Sequence, residues 1–426
     1  MKLLVKAAVL ALILSATAVL ALIHSATTVA SASASVDARL SGTFTMVGHI
    51  NVANNVYGEH VGQHIRRSWS FYPQCSSGVC KRVVLKRLRS SRHIVDTVTL
   101  TRQGAGVYSG KSRFSIPLEC GGRRVHHGGV VNETITVQIT RAVRAGGTRY
   151  ATGITATYHN PSRYQDTRCP GNIGRDGASY RGHLTVKAIA ATTSASYLIL
   201  TTAGTILHFG PGTFQGDEAA APHFGRRAEA LAVDRKTGGY WILNSNGGVK
   251  GFGAPWKGSL AGKLRHARAV AIAAAPDGGY LILTSDGGVR SFGGAKWHGS
   301  DRGKLAHGVH AVSLAVNATG GYWVLTSDGG VRGFGAPARG SLRGKLRGHR
   351  PVEIAASPHG GYLILSEDGG VHPFGGAKSH GSDRGKLGHG VRARSLTLDP
   401  RTSGYWLLRS NGGVDAFHAP WLGSLT

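Results

Sequence analysis

The chain has 426 residues, room for two or three domains, and its 41% hydrophobic and 17% charged residues are those of a globular chain that buries a core, which excludes a disordered polypeptide. Its formal net charge of +29 concentrates the protein near polyanions whatever its fold, through a field screened over about 10 Å at ordinary salt. Residues 35–182 hold 21 Lys and Arg against 7 acids and residues 183–426 hold 27 against 14, so the bias belongs to no single part; a basic surface kept only for solubility is the plainer reading of it.

Residues 1–34 carry Lys2 and Lys6, then an apolar run from Ala7 to Ile23, then Ala30-Ser31-Ala32-Ser33-Ala34. That order is the one a secretory signal peptide requires, and it predicts a secreted or cell-surface protein. The 17-residue run is long for such a leader, so an uncleaved N-terminal anchor is the alternative; no Cys follows it to carry a lipid, and the mature chain has no other segment apolar enough to span a membrane.

Residues 35–182 show a period of two. Ile135, Val137 and Ile139 alternate with threonines and Gln138, and Trp69 and Phe71 alternate with serines; further strands are predicted at 41–51, 82–88, 94–101, 107–115 and 150–158. Seven or eight strands with turn residues between them make a β-barrel or a sandwich, with a calycin-like barrel favoured. All four cysteines lie here, Cys75, Cys80, Cys120 and Cys169, an even count in an exported domain that reads as disulfides. Of three pairings, Cys75 with Cys80 and Cys120 with Cys169 is the most economical. A zinc site is set aside, even with His126-His127 nearby. Lys81, Arg82, Lys86, Arg87 and Arg89 make the strands of this domain basic. Residues 180–184 lead onward with no Pro- or Ser-rich linker.

From 183 to 426 the chain repeats. Tyr197, Tyr240, Tyr280, Tyr322, Tyr362 and Tyr405 follow one another at 43, 40, 42, 40 and 43 residues, the period of a propeller blade or of a helical solenoid. Gly or Pro every few residues excludes helices. Each unit reads as a short apolar run, Tyr followed by three apolar residues, a turn, then Val-x-x-Phe. Asp286-Gly287, Asp328-Gly329 and Asp368-Gly369, with Asn246-Gly247 and Asn411-Gly412 in the same slot, predict tight hairpins through the positive-φ tolerance of both residues. Six such units predict an all-β chain in which the N-terminal domain is followed by a six-bladed β-propeller. The copies alternate: Trp241, Trp323 and Trp406 follow the tyrosine where Ala-Pro comes later, and Leu198, Leu281 and Leu363 follow it in the others.

The stretch GGYWVLTSDGGVRGFG at 320–335 resembles the GGYW-x-x-x-SDGGV-x-x-FG repeat of secreted actinobacterial proteins, and the resemblance covers all six copies. It implies a propeller-like fold and an extracytoplasmic bacterial protein, and it implies no activity.

Gly-Ser-x-x-Gly-Lys-Leu, at 258–264, 299–305, 340–346 and 381–387, half resembles a phosphate-binding loop. It is one residue short, has Leu where a magnesium-binding hydroxyl belongs and sits among strands, so nucleotide binding is rejected. What it leaves is Lys263, Lys304, Lys345 and Lys386 at equivalent positions, which in a closed ring form an arc facing an anionic partner; four solvated loop lysines are the plainer reading. Trp241, Trp323 and Trp406 share a slot with Leu and read as core, whereas Trp256, Trp297 and Trp421 follow the Phe-Gly turn and are the candidates for stacking on sugar. Single carboxylates in turns do not make calcium sites, and His298, His307, His380 and His389 are too dispersed for one metal. No nucleophile elbow or zinc-protease motif is present, and no cofactor is expected. The reading is an exported, non-catalytic binding or structural module attached to an anionic wall polymer or polysaccharide, with a protein partner open and no specific nucleic acid; its rivals are a lectin-like propeller for neutral glycan and a hydrolase of wall carbohydrate.

Overall fold

The computed structural model describes residues 35–426 except 55, 57, 89–94, 121–122, 166–173 and 219–226, and every regular element among them is a β-strand. The predicted signal peptide lies outside the described residues. Among these, no helix is long and apolar enough to cross a membrane.

Eight antiparallel strands come first: β1 (Gly42–Asn54), β2 (His64–Pro73), β3 (Arg82–Leu88), β4 (Val95–Gly104), β5 (Val107–Cys120), β6 (Arg123–Ala145), β7 (Thr148–Gln165) and β8 (Gly174–Leu184). They pair in order, and β1 pairs back onto β8 with Phe44 opposite Leu184, so the sheet closes into a barrel and leaves no free edge. Strands β6 and β7 run to 23 and 18 residues, well beyond the alternation visible in the sequence. The cause is local. Register shifts between Asn132 and Thr134 and between Ile139 and Arg141 break the period of two while the pairing continues.

Residues of one parity fill the barrel. Phe44, Phe71, Leu100 and Ile139 are fully buried in it. Arg87 shares the parity of Val83 and Leu85 on β3, so it points inward rather than joining the basic surface that its neighbours in sequence suggest. It is buried, pairs with Glu133 and, at 3.3 Å, with Asp96, and lies near the rings of Trp69 and Tyr158. Lys81 and Arg82 are exposed, and Arg89 lies outside the described residues. The Cys75–Cys80 disulfide is formed, and Arg39 donates across its loop to the carbonyls of Cys75 and Gly78, both at 2.9 Å. Cys169 lies outside the described residues, and with it the second predicted bridge to Cys120.

A single residue, Thr185, separates β8 from the next strand, Val186–Ala191, so the predicted join at 182/183 falls inside β8. The Thr185 N–H donates to the Thr43 carbonyl at 2.7 Å, and its hydroxyl lies 3.0 Å from that of Thr45. Beyond it the described residues form six three-stranded antiparallel sheets, numbered here as blades 1 to 6, each with an inner, a middle and an outer strand. In blade 3 these are Ala269–Ala274, Tyr280–Thr284 and Val289–Phe292. Middle strands are flanked on both edges and covered on both faces, which is why Tyr-Leu-Ile-Leu is apolar throughout instead of alternating.

The sheets form a propeller-like ring. Each inner strand packs on the next, and the sixth returns to the first: Ile189 N–H donates to Ser395 Oγ at 3.1 Å and Ala191 N–H to Thr397 Oγ1 at 3.0 Å. The anchor tyrosines hold the outer part of every seam. Tyr240, Tyr280, Tyr322, Tyr362 and Tyr405 donate to the carbonyls of Gly216, Gly258, Gly299, Gly340 and Gly381 of the preceding blade, at 2.5 to 2.6 Å. Tyr197 of blade 1 donates to Gly423 of blade 6, which closes the circle. All six glycines take φ between 117° and 134°, and a Cβ on any of them would stand 2.5 to 3.0 Å from a phenylalanine ring of the following blade. Only glycine fits there.

The alternation of the copies has a bond behind it. Trp241, Trp323 and Trp406 are buried, and their indole N–H groups donate to the carbonyls of Pro255, Pro337 and Pro420, which is why Trp and Ala-Pro occur together. Each also packs on the tyrosine of the following blade, Trp406 on Tyr197 at 5.3 Å between ring centres. The hairpin turns differ from the sequence expectation in one respect. Gly287, Gly329 and Gly369 take φ near 84°, but the aspartates before them do not; each Asp instead accepts the N–H two residues on with its carboxylate, at 3.0 to 3.2 Å. Its side chain, not its backbone, selects Asp or Asn for the slot.

Candidate polyanion-binding face

Lys263, Lys304, Lys345 and Lys386 close four equivalent turns. Each donates its backbone N–H to the carbonyl three residues earlier at 2.8 to 2.9 Å, and the glycine before it takes φ of 73° to 76°, as the third residue of such a turn requires. The first residue of each turn, Leu260, Asp301, Leu342 or Asp383, is bonded through its N–H to the hairpin glycine of its own blade. All four lysines therefore emerge, exposed, from the hairpin face of the ring. The barrel stands on that face at blade 1, where Ser41 and Thr205 hydroxyls meet at 3.2 Å; on the inner strand of blade 6, desolvation, then Arg392 and least Arg66 of the barrel, lower the pKa of Arg394. The lysines occupy the other four blades.

Two clefts lie between blades on this face. The one at the seam of blades 4 and 5, about 730 Å³, is lined by Lys345, Arg347, His349, Asp368 and Arg384. The one at the seam of blades 2 and 3, about 490 Å³, is lined by Lys263, Arg265, His266, Asp286, Arg290 and Arg302. Both have the same plan: Lys-x-Arg from the even blade, and from the odd blade a hairpin Asp bridged by an Arg, Asp286 to Arg302 at 3.2 Å and Asp368 to Arg384 at 2.9 Å. Burial works to raise the Asp368 carboxyl, yet hydrogen bonds from Ser366, the Gly370 N–H and Arg384 outweigh it and hold it at about 2, so it stays ionised and offsets one cation. Each cleft keeps an excess of positive charge. Arg347 is also held at φ +44°, a conformation that non-glycine residues seldom keep outside constrained sites.

The turn residue under each lysine alternates. Under Lys263 and Lys345 it is Leu260 and Leu342, buried between sheets; under Lys304 and Lys386 it is Asp301 and Asp383, buried carboxylates facing the next blade. Asp301 pairs with Arg332 at 3.1 Å and also feels Lys304. Burial and the neighbouring Asp415 push Asp383 up to about 7, against the charges of Arg409 and Lys386. Blade 1 has Glu218 in this slot, bonded to Asn244 at 3.1 Å. The four lysines are alike in backbone and different in what lies beneath them.

Trp256, Trp297 and Trp421 are 62%, 55% and 64% exposed. The indole N–H groups of Trp297 and Trp421 donate to the carbonyls of Val289 and Val414, on the outer strands of their blades, which fixes the rings with a face open to water. A fourth aromatic, Phe214 of blade 1, fills the same slot at 40% exposure, and Ala338 and Ser379 fill it in blades 4 and 5. Exposed aromatics thus follow one another over blades 6, 1, 2 and 3. Phe214 was missed because blade 1 lacks the Ala-Pro or Ala-Lys that precedes the tryptophans, and only alignment from Tyr197 to Gly216 reveals the slot.

Among the described residues, the carboxylates do not gather at one mouth. Glu229 and Glu353 sit on inner strands, Glu229 paired with Lys187 at 2.5 Å. Glu353 accepts from the Leu396 N–H and the Ser395 hydroxyl; burial pushes it up to about 7 against those bonds and the charge of Lys187. Glu133 is inside the barrel with Arg87, and Glu367 pairs with Arg392 at 2.9 Å. Also in the barrel, burial and the charges of Glu59 and Glu133 push Asp176 up to about 8. His298 of blade 3 and His380 of blade 5, two blades apart, donate their backbone N–H groups to the hydroxyls of Tyr322 and Tyr405, each in the following blade.

No family model matches the chain, and no curated protein matches it. Solved structures similar to it include YCF48 bound to a D1 peptide, at 14% identity over 55% of this chain and 78% of that one with a TM-score of 0.34. A protein of unknown function from Bacteroides caccae is similar at 14% identity over 66% and 92%, TM-score 0.32. Virginiamycin B lyase from Staphylococcus aureus is similar at 13% identity over 55% and 84%, TM-score 0.29. Likenesses this loose add nothing to what the chain's own geometry says of its chemistry.

Proposed function

We propose that the protein is an exported six-bladed propeller carried on a barrel, of the kind secreted by actinobacteria, and that it attaches by several weak contacts to an anionic polymer or polysaccharide of the bacterial envelope. The observation that carries the reading is a pair of clefts with cationic walls on one face of a ring, each holding a turn lysine, Lys263 or Lys345, while the two equivalent lysines, Lys304 and Lys386, add only to the long-range field of that face. Rigid repetition raises avidity without a single tight pocket. The leader at 1–34 supports export, and the net charge of +29 supports a polyanionic partner. Co-sedimentation with purified bacterial cell walls over about 50 to 500 mM salt is the test. Binding should fall steeply with salt; no binding at the lowest salt ends the reading.

The exposed aromatics of blades 6, 1, 2 and 3 favour a second reading, stacking on neutral glycan at Phe214, Trp256, Trp297 and Trp421. Binding that ignores salt and is lost in Trp256→Ala with Trp297→Ala selects it.

A further inference from the structure

Equal spacing in the sequence makes the four lysines look interchangeable, and the seams make them unlike. Where an even blade meets the next odd one, the Lys turn rests on a leucine, and the chain continues Lys-Leu-Arg: Lys263-Leu264-Arg265 and Lys345-Leu346-Arg347. Across the seam stand Arg302 and Arg384, each already bridging its hairpin Asp. Where an odd blade meets the next even one, the turn rests on Asp301 or Asp383, and the residue after Leu is Ala306 or Gly388. Those seams place a carboxylate beneath the lysine and lack the arginine two residues after it; the arginines that do face them, Arg332 on Asp301 at 3.1 Å and Arg409 on Asp415 at 2.8 Å, are taken up by carboxylates. To the extent that it is ionised, a buried carboxylate beneath Lys304 or Lys386 lowers the potential that an incoming anion meets, whereas a leucine leaves it undiminished.

We propose that anion capture is confined to two duplicate clefts, one between blades 2 and 3 and one between blades 4 and 5, and that the ligand is a linear polymer whose oxyanion groups occupy both at once. This rests on the polyanion reading and sharpens it. In each cleft the Lys and Arg of the even blade and the bridging Arg of the odd blade converge on one group, with Arg suited to two parallel N–H to oxygen bonds and Lys acting as a point charge. The clefts lie two blades apart on a rigid ring. A single small anion therefore fills one cleft weakly, and a chain long enough to reach the second gains effective concentration from the first.

The test is binding of the mature chain to inorganic polyphosphate of short and long defined lengths and to polygalacturonate, at fixed low salt, by titration calorimetry or anisotropy. The variants are Lys263→Gln with Arg265→Gln, Lys345→Gln with Arg347→Gln, both pairs together, and Lys304→Gln with Lys386→Gln, which removes the same number of charges from the other seams. The expected result is long-chain affinity about 10²-fold above short-chain affinity, lost on emptying either cleft. Lys304→Gln with Lys386→Gln should change it no more than about 3-fold, the screened effect of two remote charges. Preference for polyphosphate over polygalacturonate identifies phosphate as the group, and the reverse identifies carboxylate. Equal losses from all three double variants, or short chains that bind as tightly as long ones, overturn the two-cleft proposal and leave polyanion attachment standing. No binding of either polymer by the unsubstituted protein overturns both.

Discussion

Gly423→Ala tests whether the ring closes through blade 6. The residue sits at φ +127°, a region that side chains avoid at about 1 to 3 kcal/mol. An added Cβ would lie 2.9 Å from Phe209 Cδ1 and 3.2 Å from Cε1, both in blade 1, so the ring or the segment has to move, for roughly 1 to 3 kcal/mol more. The expected loss is about 2 to 5 kcal/mol. Gly262→Ala is the control: φ +73° with open space around the new carbon, and a loss of about 1 to 2 kcal/mol from backbone strain alone. Gly299→Ala, at an internal seam with the same contact to Phe334, should match Gly423→Ala. Urea unfolding followed by tryptophan fluorescence reads all three, with Trp406 against Tyr197 as a reporter at the closing seam. If Gly423→Ala costs no more than Gly262→Ala while Gly299→Ala costs more, blade 6 does not bear on blade 1 and closure is refuted.

Glu353 is raised from the ordinary carboxylate range to about 7, so between roughly pH 4.5 and 7 the folded chain holds a proton that the unfolded chain has released. Its contribution is present below that window and is lost as pH rises through it, by at most about 1.4 kcal/mol per pH unit. Glu353→Gln keeps an acceptor for the Leu396 N–H and should flatten the fall in stability from pH 5 to 8; parallel curves for the two proteins would remove Glu353 from the pH response. Arg87→Met removes the cation that sits between the buried Glu133 and Asp96 and should destabilise the barrel by about 3 to 5 kcal/mol, read as a lower thermal midpoint. Cys75→Ser with Cys80→Ser opens a loop only five residues apart in sequence, one that Arg39 also holds, and should lower stability by about 2 kcal/mol or less in the same assay; outright unfolding would contradict it.

The repeat was readable because each unit must present the same side chains to the same neighbours. Tyrosine every 40 to 43 residues, the glycine whose carbonyl accepts its hydroxyl and the phenylalanine that packs on that glycine are three parts of one contact, so all three recur in six copies. The barrel was readable in outline for a similar reason, since inward residues alternate. Its strand ends were not, because bulges in β6 and β7 shift the period without ending the pairing. Arg87 was misplaced because a charged residue surrounded by Lys81, Arg82 and Lys86 looks like surface, and only its parity with Val83 and Leu85 says otherwise. The lysines were found, but their differences were not: the residue that distinguishes Lys263 from Lys304 is the leucine or aspartate three positions before it, whose role depends on a hairpin in its own blade and a side chain in the next.

That last failure says where the chemistry lives. A motif within one repeat describes half of a seam, and the cleft needs Lys-x-Arg from one blade and the Asp-Arg bridge from the next, about 40 residues later. Trp with Ala-Pro, Leu with Lys-Leu-Arg and Asp with Lys-Leu-Ala or Lys-Leu-Gly all alternate in step. Each trait reaches across a seam: Trp241 packs on Tyr280, Asp301 pairs with Arg332, and Arg265 faces Asp286. Altering one blade alone would therefore unsettle both of its seams. A two-blade segment carries one complete odd-to-even seam, and joined to a second copy of itself it recreates the even-to-odd seam as well. Copying the pair preserves both kinds of contact, and copying a single blade preserves neither, which is why the physical unit of this ring is two blades although its sequence period is one.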